Sequence, residues 1–231
     1  MPEPIRIVFA LYPGVTHLDF TGPHQFFSRL QNAEVMVASV GGANVESDGL
    51  TFTGLTALAD IKRCEVLCIP GGPGVIDAIG DDSFMDEIRR LGSGARFLTS
   101  VCTGSVALGA AGFLKGRRAA CHWAWRELLE PFGAVVDEAR VARDGNIITG
   151  GGVTAGIDFA LALIAELAGP ETAQAIQLGL EYAPAPPFVG GRPELAPPMV
   201  TEAVRARMSD MAPHRRAAVE QAAAKLKELA A

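Results

Sequence analysis

The stretch Arg96-Phe97-Leu98-Thr99-Ser100-Val101-Cys102-Thr103-Gly104-Ser105 carries the strongest structural signal in the chain. Arg96–Val101 reads as a buried strand and Ser105–Ala111 as a helix that stops at Gly112. A cysteine between them, with small neighbours and Gly104 just beyond, is the layout of a nucleophile elbow. In that turn the chain passes sharply from strand to helix and lifts one side chain out at the carboxyl edge of a sheet. The helix N-terminus supplies partial positive charge and free N–H groups, which favour the nucleophilic thiolate. The competing reading is a buried cysteine that packs as a small hydrophobe.

Working outward, short apolar runs alternate with helical stretches. Ile5–Leu11 reads as the first strand, Asp19–Leu30 as a helix with Thr21-Gly22-Pro23 near its start, and Glu34–Val40 as the second strand. Leu50–Ala59 is weaker and reads as an edge hairpin. Glu65–Ile69 is a strong strand closed by Pro70-Gly71-Gly72-Pro73-Gly74, with two short helices following up to Arg90. After the elbow come a helix over Trp123–Leu129, a hairpin over Ala139–Ile148 turning at Asp144-Gly145, and helices over Ala155–Ala168 and Pro170–Leu180. This alternation predicts an α/β fold: a mainly parallel sheet covered by helices on both faces, a flavodoxin-like three-layer sandwich with the elbow at its carboxyl edge.

Beyond Tyr182 the character changes. Ala183-Pro184-Ala185-Pro186-Pro187-Phe188-Val189-Gly190-Gly191 suits neither a regular helix nor a central strand, and helical sequence follows Pro197-Pro198 to Ala231. The 231 residues therefore read as one α/β domain, with a core over about 5–181 and an extension over 182–231 that packs on the core or on a second subunit.

Composition bounds the function classes. Hydrophobic residues make up 49 % and charged residues 20 %, as in a globular protein, and the net charge is -6 with a pI near 5.3. That balance speaks against nucleic acid as a partner. The densest basic cluster, Arg205, Arg207, Arg215 and Arg216, is interrupted by Glu202, Asp210 and Glu220 and reads as a solvated helix face. No apolar run approaches the roughly 20 residues of a spanning helix, and Met1-Pro2-Glu3-Pro4 leads directly into a strand without a secretory pattern. A cytoplasmic protein with free thiols is expected.

Among chemistry-bearing residues, Asp19 follows the first strand's turn and could face Cys102 as a general acid; a helix cap is the alternative, which position alone favours. Gly71, Gly72 and the Thr103 N–H could supply backbone donors to a developing anion, or Gly71-Gly72 could be a plain turn. His122, beside Trp123 and Trp125, is a rival proton partner and reads more simply as structural. His17 and His24 flank Asp19 without a decisive role. Cys64 and Cys68 lie about 13 Å apart if extended, too far for one metal ion, and Cys121-His122 lacks a second ligand pair. Neither metal nor organic cofactor is predicted.

Leu18-Asp19-Phe20-Thr21-Gly22-Pro23, Ile69-Pro70-Gly71-Gly72, Thr99–Ser105 and His122-Trp123 together resemble the superfamily named after the protease PfpI and a parkinsonism-linked protein, which shares the class I glutamine-amidotransferase-like fold. Gly150–Asp158 and Leu180–Phe188 narrow the resemblance to its isocyanide hydratases. It runs from Ile5 to Phe188 and more loosely through the tail. Many members carry a glutamate where this chain has Asp19, and a histidine where it has Thr103. Those departures weaken any reading that needs a Cys-His pair and agree with the hydratases. The resemblance implies catalytic Cys102, Asp19 and Thr103, with Gly72 and Thr103 as backbone donors. It implies hydration of a small-molecule isocyanide to an N-substituted formamide through a thioimidate on Cys102, without a cofactor, in a homodimer whose site lies near the interface. Rival readings are a redox-sensing cysteine protein, an enzyme of the same fold acting on a carbonyl or nitrile-like substrate, and a sensor domain like that of AraC-type regulators. Those regulators carry a longer, helix-turn-helix C-terminal region than the fifty or so residues after Tyr182.

Overall fold

The computed structural model describes residues 3–209 and 212–229. In chain order, β1 (Ile5–Ala10) leads to α1 (His17–Phe27), β2 (Ala33–Ser39), β3 (Val45–Ser47), β4 (Leu50–Phe52), β5 (Thr56–Ala57) and β6 (Val66–Ile69). Helices α2 (Val75–Ala78) and α3 (Asp82–Gly94), β7 (Phe97–Val101) and α4 (Gly104–Ala110) follow. Then come β8 (Arg118–Ala119), a 3-10 segment over Trp123–Phe132, β9 (Val135–Val136), β10 (Val141–Asp144) and β11 (Ile147–Gly150). Helices α5 (Ala155–Ala168), α6 (Pro170–Gly179), α7 (Pro198–Ser209) and α8 (Ala212–Leu229) complete the chain.

The main sheet runs β10-β11-β7-β6-β1-β2-β5, and every pairing in it is parallel except β10 with β11. Its central strands are buried along their whole length: β6 and β7 expose no residue, as parallel strands covered on both faces must not. One helical layer joins α1, α5 and α6; the other gathers α3, α4, α8 and the 3-10 segment. This is the predicted three-layer α/β sandwich. Strand β1 pairs with β2 on one side and β6 on the other, so successive connections leave it in opposite directions. A crevice opens there at the carboxyl ends, where ligands bind in such sheets.

Four local expectations change. The first helix starts at His17 rather than Asp19, because the Thr16 N–H donates to the Gly71 carbonyl at 2.7 Å and fixes the chain's entry. Pro23 therefore lies inside α1, not near its start. The hairpin expected over Leu50–Ala59 is shifted: β3 and β4 pair around Asp48 and Gly49, both in the left-handed region that a two-residue turn demands, while β5 joins the main sheet as a parallel edge. Trp123–Leu129 winds as a 3-10 segment extending to Phe132, with Pro131 inside it lacking an N–H to donate. The helical tail divides in two, and α8 is described to Leu229; the expected helical end at Ala230-Ala231, like Met1-Pro2, lies outside the described residues.

The extension itself is of two kinds. Val219 and Ala223 of α8 belong to the buried core, against the 3-10 segment and α4. Residues 183–197, by contrast, contain no helix or strand, as the proline pattern predicts.

Candidate active site

Strand β7 delivers Cys102 to the carboxyl edge, and α4 begins two residues later. Cys102 has φ +59, the left-handed region, which a non-glycine residue occupies only where its surroundings impose it. They do: the Cys102 N–H donates to the carbonyls of Gly151 at 2.7 Å and Gly150 at 3.1 Å, and its own carbonyl accepts from the His122 N–H at 3.4 Å. A buried polar chain ties these segments together. Ser100 and Ser105 share a hydroxyl contact of 2.8 Å, the Ser105 hydroxyl donates to the Ala120 carbonyl at 2.5 Å, and the Ala120 N–H donates to Thr149 Oγ1 at 2.7 Å.

Asp19 lies in the first turn of α1 but is not its cap; Thr16 holds that position. Its carboxyl turns inward and is completely buried. Oδ2 accepts the Gly71 N–H at 2.9 Å, whereas Oδ1 is buried without a conventional hydrogen-bond partner. The Cys102 thiol and the Asp19 carboxyl are near enough that each acts on the other's titration. The structure thus brings together Cys102, Asp19, Thr103 and the Gly71-Gly72 turn.

The electrostatics follow from burial. Desolvation raises Asp19 to about 7, against which the Gly71 N–H and the thiol pull weakly downward. The Cys102 thiol is also pushed up, first by burial and then by the Asp19 charge, although the Thr103 N–H favours its thiolate. The helix N-terminus does favour the thiolate through the Thr103 N–H, as expected, but burial and the Asp19 charge outweigh it and leave the thiol raised.

The glycines have a steric role that outweighs turn-making. A Cβ on Gly71 would sit 2.5 Å from the Thr103 nitrogen and 2.7 Å from Asp19 Oδ2, so only glycine lets the three segments meet. Gly72, expected as a free backbone donor, instead donates to Thr103 Oγ1 at 2.8 Å, while that hydroxyl donates back to the Gly72 carbonyl at 3.0 Å. In this state the Thr103 side chain locks the turn, and the Thr103 N–H faces sulphur.

Tyr12 escaped the reading of the sequence. It is buried beside the pair, and its hydroxyl donates to the Pro70 carbonyl at 2.7 Å. A polar-tipped aromatic at the end of β1 was its sole signal. Cys64, Cys68 and Cys121 are buried, with thiols pushed up to about 12, which keeps them protonated. Among the described residues, no three His, Cys, Asp or Glu side chains gather to hold a metal, and no helix is long and apolar enough to cross a membrane. A cleft of about 210 Å³ is lined by Cys121–Trp123, Arg126, Glu138–Arg140, Gly151–Thr154 and Gly191–Pro193, and two of these residues, His122 and Gly151, bond to the Cys102 backbone.

Residues 5–166, which contain the elbow cysteine, the buried carboxyl and the glycine turn, match a family model described as the DJ-1/PfpI family. The chain belongs to the DJ-1/PfpI family. Within that family it is 47 % identical to an isonitrile hydratase of Pseudomonas putida, over 96 % of this chain and 98 % of that protein. A solved THiJ/PfpI family protein from Pseudomonas syringae superposes with a TM-score of 0.91 at 39 % identity, covering 94 % of this chain and 90 % of that one. The HTH-type transcriptional regulator CdhR of Pseudomonas aeruginosa is 31 % identical over 71 % of this chain, but the match spans 51 % of the regulator.

Proposed function

We propose that this protein hydrates isonitriles to N-substituted formamides, with Cys102 as nucleophile and Asp19 as proton carrier. The observation that carries the reading is the full-length similarity to an isonitrile hydratase, and the Cys102–Asp19 pair provides groups suited to that chemistry. In the reactive form sulphur is thiolate and Asp19 holds the proton. Sulphur bonds to the terminal isonitrile carbon, that carbon takes the Asp19 proton, and a thioimidate results with Asp19 left as carboxylate. Water then adds to the same carbon while Asp19 accepts one of its protons and relays it to the nitrogen. Finally the C–S bond breaks, the hydroxyl proton returns to Asp19, and formamide leaves a restored thiolate and acid. One water accounts for every proton, and no group is oxidised or reduced, so the cycle requires no redox cofactor. Thr103 keeps the turn closed around Asp19, and its N–H steadies the sulphur charge. The Gly72 N–H can serve as a donor to substrate only if Thr103 Oγ1 releases it.

The same reading includes a homodimer and a cytoplasmic setting. Apolar side chains left in solvent between Phe188 and Val200 support a second copy as their cover, and that segment also lines the cleft whose walls bond to the Cys102 backbone. Formamide release from a simple alkyl isonitrile, measured for wild type beside Cys102→Ala, tests the function. Turnover that disappears in the variant is expected. A folded wild type without turnover would reject the reading.

A further inference from the structure

Tyr12 enters none of the steps above, although it is buried among the groups that do. It lies two residues beyond the end of β1, and its ring stands edge-on to Phe84 at 5.4 Å. Its hydroxyl donates to the Pro70 carbonyl at 2.7 Å. No backbone N–H among the described residues donates to that carbonyl, so Tyr12 is what satisfies it. The Pro70 carbonyl and the Gly71 N–H are the two ends of one peptide unit, and the Gly71 N–H donates to Asp19 Oδ2 at 2.9 Å. Gly71 supplies the one backbone N–H bonded to the Asp19 carboxyl among the described residues. The two hydrogen bonds therefore run in series, from the Tyr12 hydroxyl through a planar, resonant peptide to Asp19. A donor on the carbonyl end polarises the peptide and strengthens the N–H at the other end. It also fixes the orientation of a peptide that ends in glycine, the residue freest to rotate.

We propose that Tyr12 is a positioning residue of the active site, whose hydroxyl holds the Pro70–Gly71 peptide with its N–H turned to the Asp19 carboxyl. Its weight in catalysis rests on the hydration reading, in which Asp19 alternates between acid and carboxylate. The Gly71 N–H bonds best to the carboxylate, and a hydrogen bond to the charged form favours that form. Burial favours the acid, and the balance lies at about 7. Taking away the Tyr12 hydroxyl weakens the side of the balance that favours carboxylate, so Asp19 then keeps its proton to higher pH. The thiol responds in the opposite sense, because the Asp19 charge is one of the causes that raise it. The other titratable groups on which the Asp19 charge acts are Tyr12, Cys68 and Cys121. Burial raises all three, with both thiols at about 12, so none changes charge near neutral pH. His24, on α1 itself, is lowered by its own burial and is untouched by the change at Tyr12.

Two replacements move the balance in opposite directions. Tyr12→Phe keeps the ring against Phe84 and removes the donor. A ring-fluorinated tyrosine at the same position keeps the ring and makes the hydroxyl a stronger donor, and it preserves the fold should the phenylalanine variant fail to form one. Two pH profiles are measured for each: kcat/KM for an alkyl isonitrile, and the rate of Cys102 alkylation by iodoacetamide with Cys102→Ala as blank. In Tyr12→Phe the alkaline fall of kcat/KM is expected about 0.5 to 1 pH unit higher, a change of about 3- to 10-fold in the proton affinity of Asp19. Alkylation near neutral pH is expected to quicken in the same variant, since a carboxyl that keeps its proton no longer raises the thiol. The fluorinated tyrosine is expected to shift both profiles the other way, by less. Profiles of wild-type shape in both proteins overturn the inference, whether the melting temperature falls or the rates change by one factor at every pH, because that is the mark of a residue that only packs. A folded wild type without isonitrile turnover overturns the hydration reading, and the alkylation profiles then decide by themselves whether Tyr12 sets the donor to Asp19.

Discussion

Around Cys102 backbone presses on backbone: a Cβ on Gly104 would lie 2.0 Å from the Ile69 carbonyl oxygen, and one on Gly74 only 1.9 Å from that of Pro13. Along Phe188–Val200 the packing is the reverse. Phe188 is 82 % and Met199 76 % exposed, and the chain between the end of α6 and the start of α7 has no regular structure. The first region is fixed from every side, which is what lets it hold a non-glycine residue at positive φ and two acidic groups away from water. The second has apolar surface and little to hold it. A nucleophile needs the first kind of environment, whereas an association surface can be completed by its partner.

The largest expected effect tests the buried pair. Asp19→Asn removes the proton carrier and should lower turnover by about 10²- to 10⁴-fold. The same change should stabilise the fold above neutral pH. Asp19 titrates at about 7 when folded against an ordinary 3.8, so between about pH 4 and 7 the folded chain retains a proton that the unfolded chain has lost, and stability falls as pH rises through that window. Asparagine has no such charge to bury. Denaturant unfolding at pH 8 should show a gain of about 2–4 kcal/mol that fades towards pH 4. A variant equally stable relative to wild type at both pH values would mean that Asp19 is not a buried, high-pKa acid.

Next in size is the steric claim. Gly104→Ala forces a methyl against the Ile69 carbonyl and should destabilise by about 3 kcal/mol or more, since backbone on backbone leaves nothing flexible to yield. A melting temperature near that of wild type would show that the elbow has slack. This crowding also explains what could and could not be read in advance. The strand–cysteine–glycine run announced the elbow, because local chemistry dictates a local turn. Asp19 was visible as a candidate but not separable from a helix cap, since the choice depends on Gly71, 52 positions away. Tyr12 carried only a faint signal and Thr149 none: each is an ordinary residue whose role is created by a non-local partner. Burial, likewise, reversed the expected direction for the Cys102 thiol, and burial of one atom is not a property of sequence.

The C-terminal extension gives a milder test within itself. Val219 is completely buried while α7 buries no side chain. Val219→Ala should therefore cost about 1.5 kcal/mol, the transfer value of the lost methyl groups. A substitution at exposed Met199 should leave folding stability unchanged. Equal effects at both positions would erase the distinction between an anchored α8 and a loosely held α7.

The smallest effect on folding, and the one that decides the character of the second region, belongs to Phe188 and Val189. Both stand in solvent, at 82 % and 80 % exposure, so replacing them with serine removes no contact within one chain and should shift its stability by less than about 0.5 kcal/mol. If a second copy covers this segment, the double serine variant should sediment as a monomer at concentrations where wild type sediments as a dimer. Because Gly191–Pro193 of the same segment lines the cleft whose walls bond to the Cys102 backbone, the loss of association should also alter KM for the isonitrile. A variant that still dimerises would move the interface elsewhere on the molecule and leave the apolar segment without its proposed cover. One that becomes monomeric with unchanged kinetics would separate assembly from catalysis, and the buried carboxyl edge would then suffice for the chemistry on its own.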